Sequence, residues 1–93
     1  MNFEWDETKS ELCFSKRGFD FAYAAQAFFD PQRLVRADVR YSYGEDRFKL
    51  LGAIDSRIFA IVYTPRANAT RIISARKANA REVKHYENGT YEN

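Results

Sequence analysis

The sequence predicts an α+β domain: two short helices near the start, an antiparallel sheet after them and a closing helix, in the order β-α-α-β-β-β-α. Three observations carry this. Capping residues and helical spacing of apolar side chains mark the stretch from Asp6 to Pro31. From Leu34 onward the pattern changes to runs of β formers separated by tight turns. A capping box at Asn79 then announces one more helix.

Phe3-Glu4-Trp5 reads as a short strand. Asp6 is a good N-cap, and Glu7 in the first turn suits the helix dipole. This helix should run over 7–17 and stop at Gly18, with Leu12 and Cys13 as its clearest inward residues. Asp20 caps a second helix over 21–29, in which Phe21, Ala24, Ala25 and Phe28 follow the i, i+3, i+4, i+7 rule. Asp30-Pro31 ends it.

Leu34 to Tyr43 is rich in β formers, and Ser42 to Asp46 carries turn chemistry. Strands are predicted over Phe48–Ile54, Arg57–Thr64 and Arg71–Ala75. Asp55-Ser56 makes a tight turn between the first two, and Pro65 to Ala69 a loop before the third. Arg57–Thr64 is nearly all apolar, so it should be central and covered on both faces. The spacing suits an antiparallel meander, with the helices packed on one side. Asn79 with Glu82 at N3 opens a helix to about Glu87, and Asn88-Gly89 closes it. Residues 1–93 are expected to form a single domain, with 88–93 as a frayed tail.

Fifteen of the 93 residues are aromatic, and large rings help a small domain offset its chain entropy. Cys13 is the single cysteine, which excludes an intrachain disulfide and suggests a small core filler. The acidic start, Met1 to Asp6, has no apolar segment of the kind a secretory signal needs, and no run approaches the roughly 20 apolar residues of a membrane helix. A cytoplasmic protein with no membrane association is expected. Two sequons, at Asn68 and Asn88, are then chance matches.

Charge is unevenly distributed. Residues 1–30 hold three Lys/Arg and six Asp/Glu, and residues 31–93 hold twelve and seven. Ten of the fifteen basic residues are Arg, whose planar fork binds phosphate and carboxylate bidentately. This polarity suggests a polyanionic or acidic partner on one face.

One His and one Cys cannot build an ordinary zinc site, and no Gly-rich phosphate loop or nucleophile elbow is present. No cofactor or metal is therefore expected. The concentrated feature is basic: Arg47, Arg57 and Arg71 sit at strand starts, and Arg76-Lys77 follow the last strand. In a meander the start of one strand lies beside the end of its neighbour, so Arg47 and Arg76 could converge. Tyr41, Tyr43 and Tyr63 could stack on bases. The plainer alternative is a set of solvated arginines, or arginines paired with Glu45, Asp46 and Asp55.

The chain resembles the BrnT family of type II toxin–antitoxin ribonuclease toxins. The opening carries Phe3-Glu4-Trp5-Asp6-x-x-Lys9, Lys16-x-Gly18, Phe21, Ala24-Ala25 and Phe28-x-Asp30-Pro31. The middle carries Ser42-Tyr43-Gly44-Glu45-Asp46-Arg47-Phe48. The close carries Arg71-Ile72-Ile73-Ser74-Ala75-Arg76-Lys77-Ala78, then Glu82 and Tyr86-Glu87. The resemblance implies a RelE-like fold and a metal-independent endoribonuclease that inhibits translation. It also implies a DNA-binding, BrnA-like antitoxin and a toxin dimer within the complex.

Carried over position by position, Arg47, Arg71 and Arg76 are the catalytic candidates. Arg57, Lys77, Tyr41 and Tyr43 are the RNA-binding candidates, and Glu45, Lys9 and Tyr41 the candidates for proton transfer. Trp5, Asp6, Lys9 and Glu82 match motif positions of structural type. The chain departs from the pattern at Arg17 and Tyr41, where relatives commonly carry histidine, and at Cys13, where they carry asparagine. Proton transfer through those histidines is excluded here. Two other readings use the same features: a non-catalytic RNA- or protein-binding module with an Arg/Tyr surface, and a subunit whose free sheet edge accepts a partner strand.

Overall fold

The computed structural model describes residues 1–38 and 44–90. The stretch of β formers at Leu34–Tyr43 and the expected turn at Ser42–Asp46 lie partly outside these residues, and Tyr41 and Tyr43 wholly so. The elements are β1 (Phe3–Trp5), α1 (Glu7–Arg17), α2 (Phe21–Ala24) continued by a 3₁₀ segment (Ala25–Phe29), β2 (Leu34–Ala37), β3 (Phe48–Ile54), β4 (Arg57–Arg66), β5 (Ala69–Lys77) and α3 (Ala80–Asn88).

The caps stand as expected. Asp6 accepts the Lys9 N–H, Asp20 accepts the Tyr23 N–H, and Asn79 and Glu82 form a reciprocal capping box. Gly18 and Gly89 close α1 and α3 at φ of 84° and 72°, where a Cβ would be strained. The inward face of α1 differs from expectation. Cys13 points inward as expected, but Leu12 is 51% exposed, and Ser10 is the second buried residue. Small side chains are needed there because the helix sits close to its neighbours. Ser10 Oγ accepts the Phe21 N–H at 3.0 Å, and the Cys13 thiol donates to the Ala75 carbonyl at 3.5 Å.

Among the described residues the five strands form one sheet in the order β1-β5-β4-β3-β2, with β4 central as predicted. Three corrections follow. Leu34–Ala37 pairs with β3 as a strand of its own, so four strands rather than three follow the helices. The sheet is mixed, because β1 joins β5 in parallel, Glu4 opposite Arg71. That pairing joins the two ends of the chain, which local spacing does not reveal. The expected loop at 65–69 is largely strand: β4 runs to Arg66 and pairs with β5 from Ala69. Pro65 is tolerated because it lies beyond the end of β3, and its opposite residue Thr70 donates away from it, to Asn2.

The core lies between α1–α2 and one sheet face. Phe21, Ala24, Ala25, Ala27 and Phe28 pack on Leu50, Ile54, Phe59, Ile61, Ile72 and Ala75. Gly52 is required by this contact, since a Cβ there would stand 2.5 Å from the Ala27 carbonyl oxygen. The helices are not all on one side. Lys49 alternates with core residue Leu50, and Arg76 follows core residue Ala75. Both of these basic side chains bind Glu82 of α3. α3 therefore packs on the opposite face of β3 and β4, at the end where Leu51 and Ala60 are buried. Its hold is completed at the sheet edge, where the Tyr86 hydroxyl donates to Asp30 and Asp30 accepts the Ala53 N–H at 2.8 Å. No helix among the described residues is long and apolar enough to cross a membrane.

Candidate active site

The face that α3 only partly covers carries the basic cluster, and its composition depends on one irregularity. Arg71 and Arg76 are five positions apart on β5, so in a regular strand they would point to opposite faces. The register slips between Val62–Ser74 and Tyr63–Ile72, leaving Ile73 as an extra residue. That β-bulge puts Ile72 and Ala75 together in the core and Arg71 and Arg76 together on the other side.

Alternation assigns Arg47, Lys49, Thr64 and Arg66 to this same face. The rows across the sheet are Thr64–Arg71–Glu4, with Arg47 just before β3 at the end of this row, then Lys49–Val62–Ser74, then Leu51–Ala60–Arg76. Successive rows lie roughly 7 Å apart. Ser74 is exposed and Val62 half-buried, so the floor between the cations is open.

Each cation is held by a carboxylate. Glu82 is the best satisfied: Arg76 Nη1 and Nη2 donate to Oε1 and Oε2 at 2.7 and 2.9 Å. Lys49 Nζ stands 2.5 Å from Oε2, and the Asn79 N–H donates to Oε1 at 2.9 Å. Burial raises the carboxyl pKa of Glu82, but the hydrogen bonds from Arg76, Lys49 and Asn79 outweigh it and hold the group at about 2. Glu82 is thus an anchor and a poor base. Arg71 pairs with Glu4 at 2.9 Å, and Glu45 joins Arg47 to Arg66 at 3.4 and 3.2 Å. The expected alternative partners for these arginines were Glu45, Asp46 and Asp55; of these, Glu45 is used.

The other candidates are placed elsewhere. Arg57 lies opposite Ile54, and Lys77 opposite Phe59, so both emerge on the helical side of the sheet. Lys9 lies on α1, beside the outer edge of β5, away from the three arginines. Lys49 and Arg66 were not among the candidates. Lys49 was legible as one lysine inside an otherwise apolar strand.

The sheet face is thus partly open and carries ordered cations, each anchored by a carboxylate. The family described as "Ribonuclease toxin, BrnT, of type II toxin-antitoxin system" matches residues 5–82, and the chain belongs to that family. An RNA target and an antitoxin partner follow from this membership. No curated protein matches the chain.

Proposed function

We propose that the protein is an endoribonuclease toxin that cuts RNA without a metal ion on the sheet face bearing Arg47, Arg71 and Arg76, and so inhibits translation. The observation that carries this reading is the bulge at Ile73, which gathers Arg71 and Arg76 onto the open face.

Cleavage requires a base to take the 2′-hydroxyl proton. The 2′-oxygen then bonds to phosphorus, the P–O5′ bond breaks, and an acid returns a proton to the 5′-oxygen. Between these steps the phosphorane carries extra negative charge. Guanidinium groups stabilise it at any physiological pH because they do not deprotonate. Glu82 keeps Arg76 and Lys49 oriented before substrate arrives, so little reorganisation is needed on binding. Glu45, beside Arg47, is the proton-transfer candidate on this face, with Tyr41 as the alternative. A BrnA-like, DNA-binding antitoxin neutralises the toxin, and a toxin dimer forms within that complex.

The test is cleavage of single-stranded RNA by the purified chain in excess EDTA. Cutting should persist, leave 2′,3′-cyclic phosphate ends and stop with equimolar antitoxin. Activity that disappears on chelation and returns with magnesium would overturn the reading.

A further inference from the structure

On the helical side of the sheet, where α1 ends and the β3–β4 hairpin turns, lies a cleft of about 510 Å³. That size is in the range of small-ligand sites, roughly 300–1,000 Å³. Its floor is a triangle of rings: Phe19–Phe59, Tyr23–Phe59 and Phe19–Tyr23 have centroids 5.0, 5.9 and 6.2 Å apart. Phe14 stands at its rim with 60% of its surface exposed. Arg17, Arg57 and Lys77 line the same cleft and are exposed. The arginines of the opposite face are each anchored by a carboxylate. No ion pair of these three cleft cations is present among the described residues.

Phe19 and Phe59 are buried, while half-buried Tyr23 and exposed Phe14 can stack on a base; with three cations against the two carboxylates of Asp20 and Asp55, the cleft matches a nucleotide, which has one flat face and one anionic phosphate. The cleft also connects to the candidate active site. Arg76 and Lys77 are consecutive on β5 and emerge on opposite faces. β1 pairs with β5 only as far as Ile72, and α1 lies along its outer edge as far as Ala75, which leaves the edge uncovered by a strand only at the Arg76–Lys77 end. An RNA strand gripped by Arg76 can turn over that edge to Lys77.

We propose that this cleft is a second RNA subsite, holding one unstacked nucleotide of the substrate strand away from the scissile bond. The inference rests on the ribonuclease reading. Asp20 and Asp55 line the same cleft; Asp20 Oδ1 accepts the Tyr23 N–H and Asp55 Oδ2 the Tyr23 hydroxyl, and the second oxygen of each carboxylate would accept from a base edge and so set a sequence preference.

The experiment has two arms. In the first, Phe14→Ala and Lys77→Ala are compared with the parent chain on single-stranded RNA. Both positions are exposed, so folding is preserved. Each should lower kcat/KM about tenfold, mainly through KM, and flatten the cut-site preference at one position. In the second, each of the four nucleoside 3′-monophosphates is titrated into the labelled parent chain by NMR. Amide shifts at Gly18, Asp55 and Lys77, stronger for one base, are expected. Unchanged KM and cut sites in both variants would overturn the proposal. So would loss of antitoxin binding with RNA cleavage intact, because the cleft would then be a protein interface. If the parent chain cuts no RNA, the ribonuclease reading fails, and the nucleotide titration alone decides whether the cleft is a nucleotide site.

Discussion

Glu82 on α3 holds Arg76 on β5 through two parallel hydrogen bonds, 2.7 and 2.9 Å, across the boundary between the last strand and the last helix. The two ends of this pair are unequally buried: 7% of the Glu82 side chain is exposed, against 36% for Arg76. The carboxylate therefore belongs to the structure, and part of the guanidinium faces the open surface.

That asymmetry separates the two variants. Glu82→Ala leaves Lys49 without its carboxylate and removes half of the capping box, so it should destabilise the fold by about 3–5 kcal/mol. Arg76→Ala should cost much less stability, because Lys49 and the Asn79 N–H still satisfy Glu82. It should nevertheless slow RNA cleavage roughly a hundred- to a thousandfold, as loss of a transition-state donor does, and relieve growth arrest. Arg76→Lys should restore only part of the rate, since Lys lacks the planar fork. Denaturant melts and cleavage rates on the same preparations decide it. Equal destabilisation by the two alanine variants, with a normal rate in folded Arg76→Ala, would reduce Arg76 to a structural ion pair.

Acid should release the same anchor. The Glu82 carboxyl lies at about 2 in the folded chain against an ordinary 4.5, so its stabilisation is complete above about pH 4.5 and fades as pH falls toward 2. The linkage relation puts the loss near 2 kcal/mol by pH 3. Urea unfolding at pH 6 and pH 3 measures it. Glu82→Gln should flatten that part of the pH dependence, and a parent-like acid slope in this variant would assign the effect to other carboxylates.

Phe28 joins the two ends of the core, with its ring 5.0 Å from both Phe3 and Tyr63 and only 5% of its surface exposed. Phe28→Ala should cost about 3–5 kcal/mol, a large share of the stability of a domain this size. A variant that melts with the parent chain would show that β1 and β4 close over the gap.

Gly52→Ala tests the seat of the 3₁₀ segment on β3. The added Cβ would meet backbone, the Ala27 carbonyl oxygen at 2.5 Å, which cannot swing aside as a side chain can. A loss of about 1–3 kcal/mol is expected from overpacking, read as a lowered melting temperature. An unchanged midpoint would mean that the segment slides along the strand.

The helix ends and strand cores were legible because each rests on chemistry local to the chain. Asp6, Asp20 and Asn79 each cap the N–H group three residues on, and Gly18 and Gly89 take the left-handed conformation that stops a helix. The long apolar run Arg57–Thr64 declared a strand covered on both faces, and β4 is central. The family was legible too, from motif spacing along 3–87, and residues 5–82 match it. The sidedness of the molecule was not. Whether Arg71 and Arg76 share a face depends on one unpaired residue, Ile73, and a bulge is set by how β5 docks on β4, not by the residues of β5 alone. The parallel pairing of β1 with β5, the crossing of α3 to the second face and the outward turn of Leu12 have the same origin. Each depends on which surfaces meet once distant segments pack. The sequence by itself determined the elements, their ends and the supply of arginines. Only the tertiary structure decided that Arg47, Arg71 and Arg76 stand on one face and Arg57 and Lys77 on the other, because a side chain's face is a property of the paired strand and not of the residue.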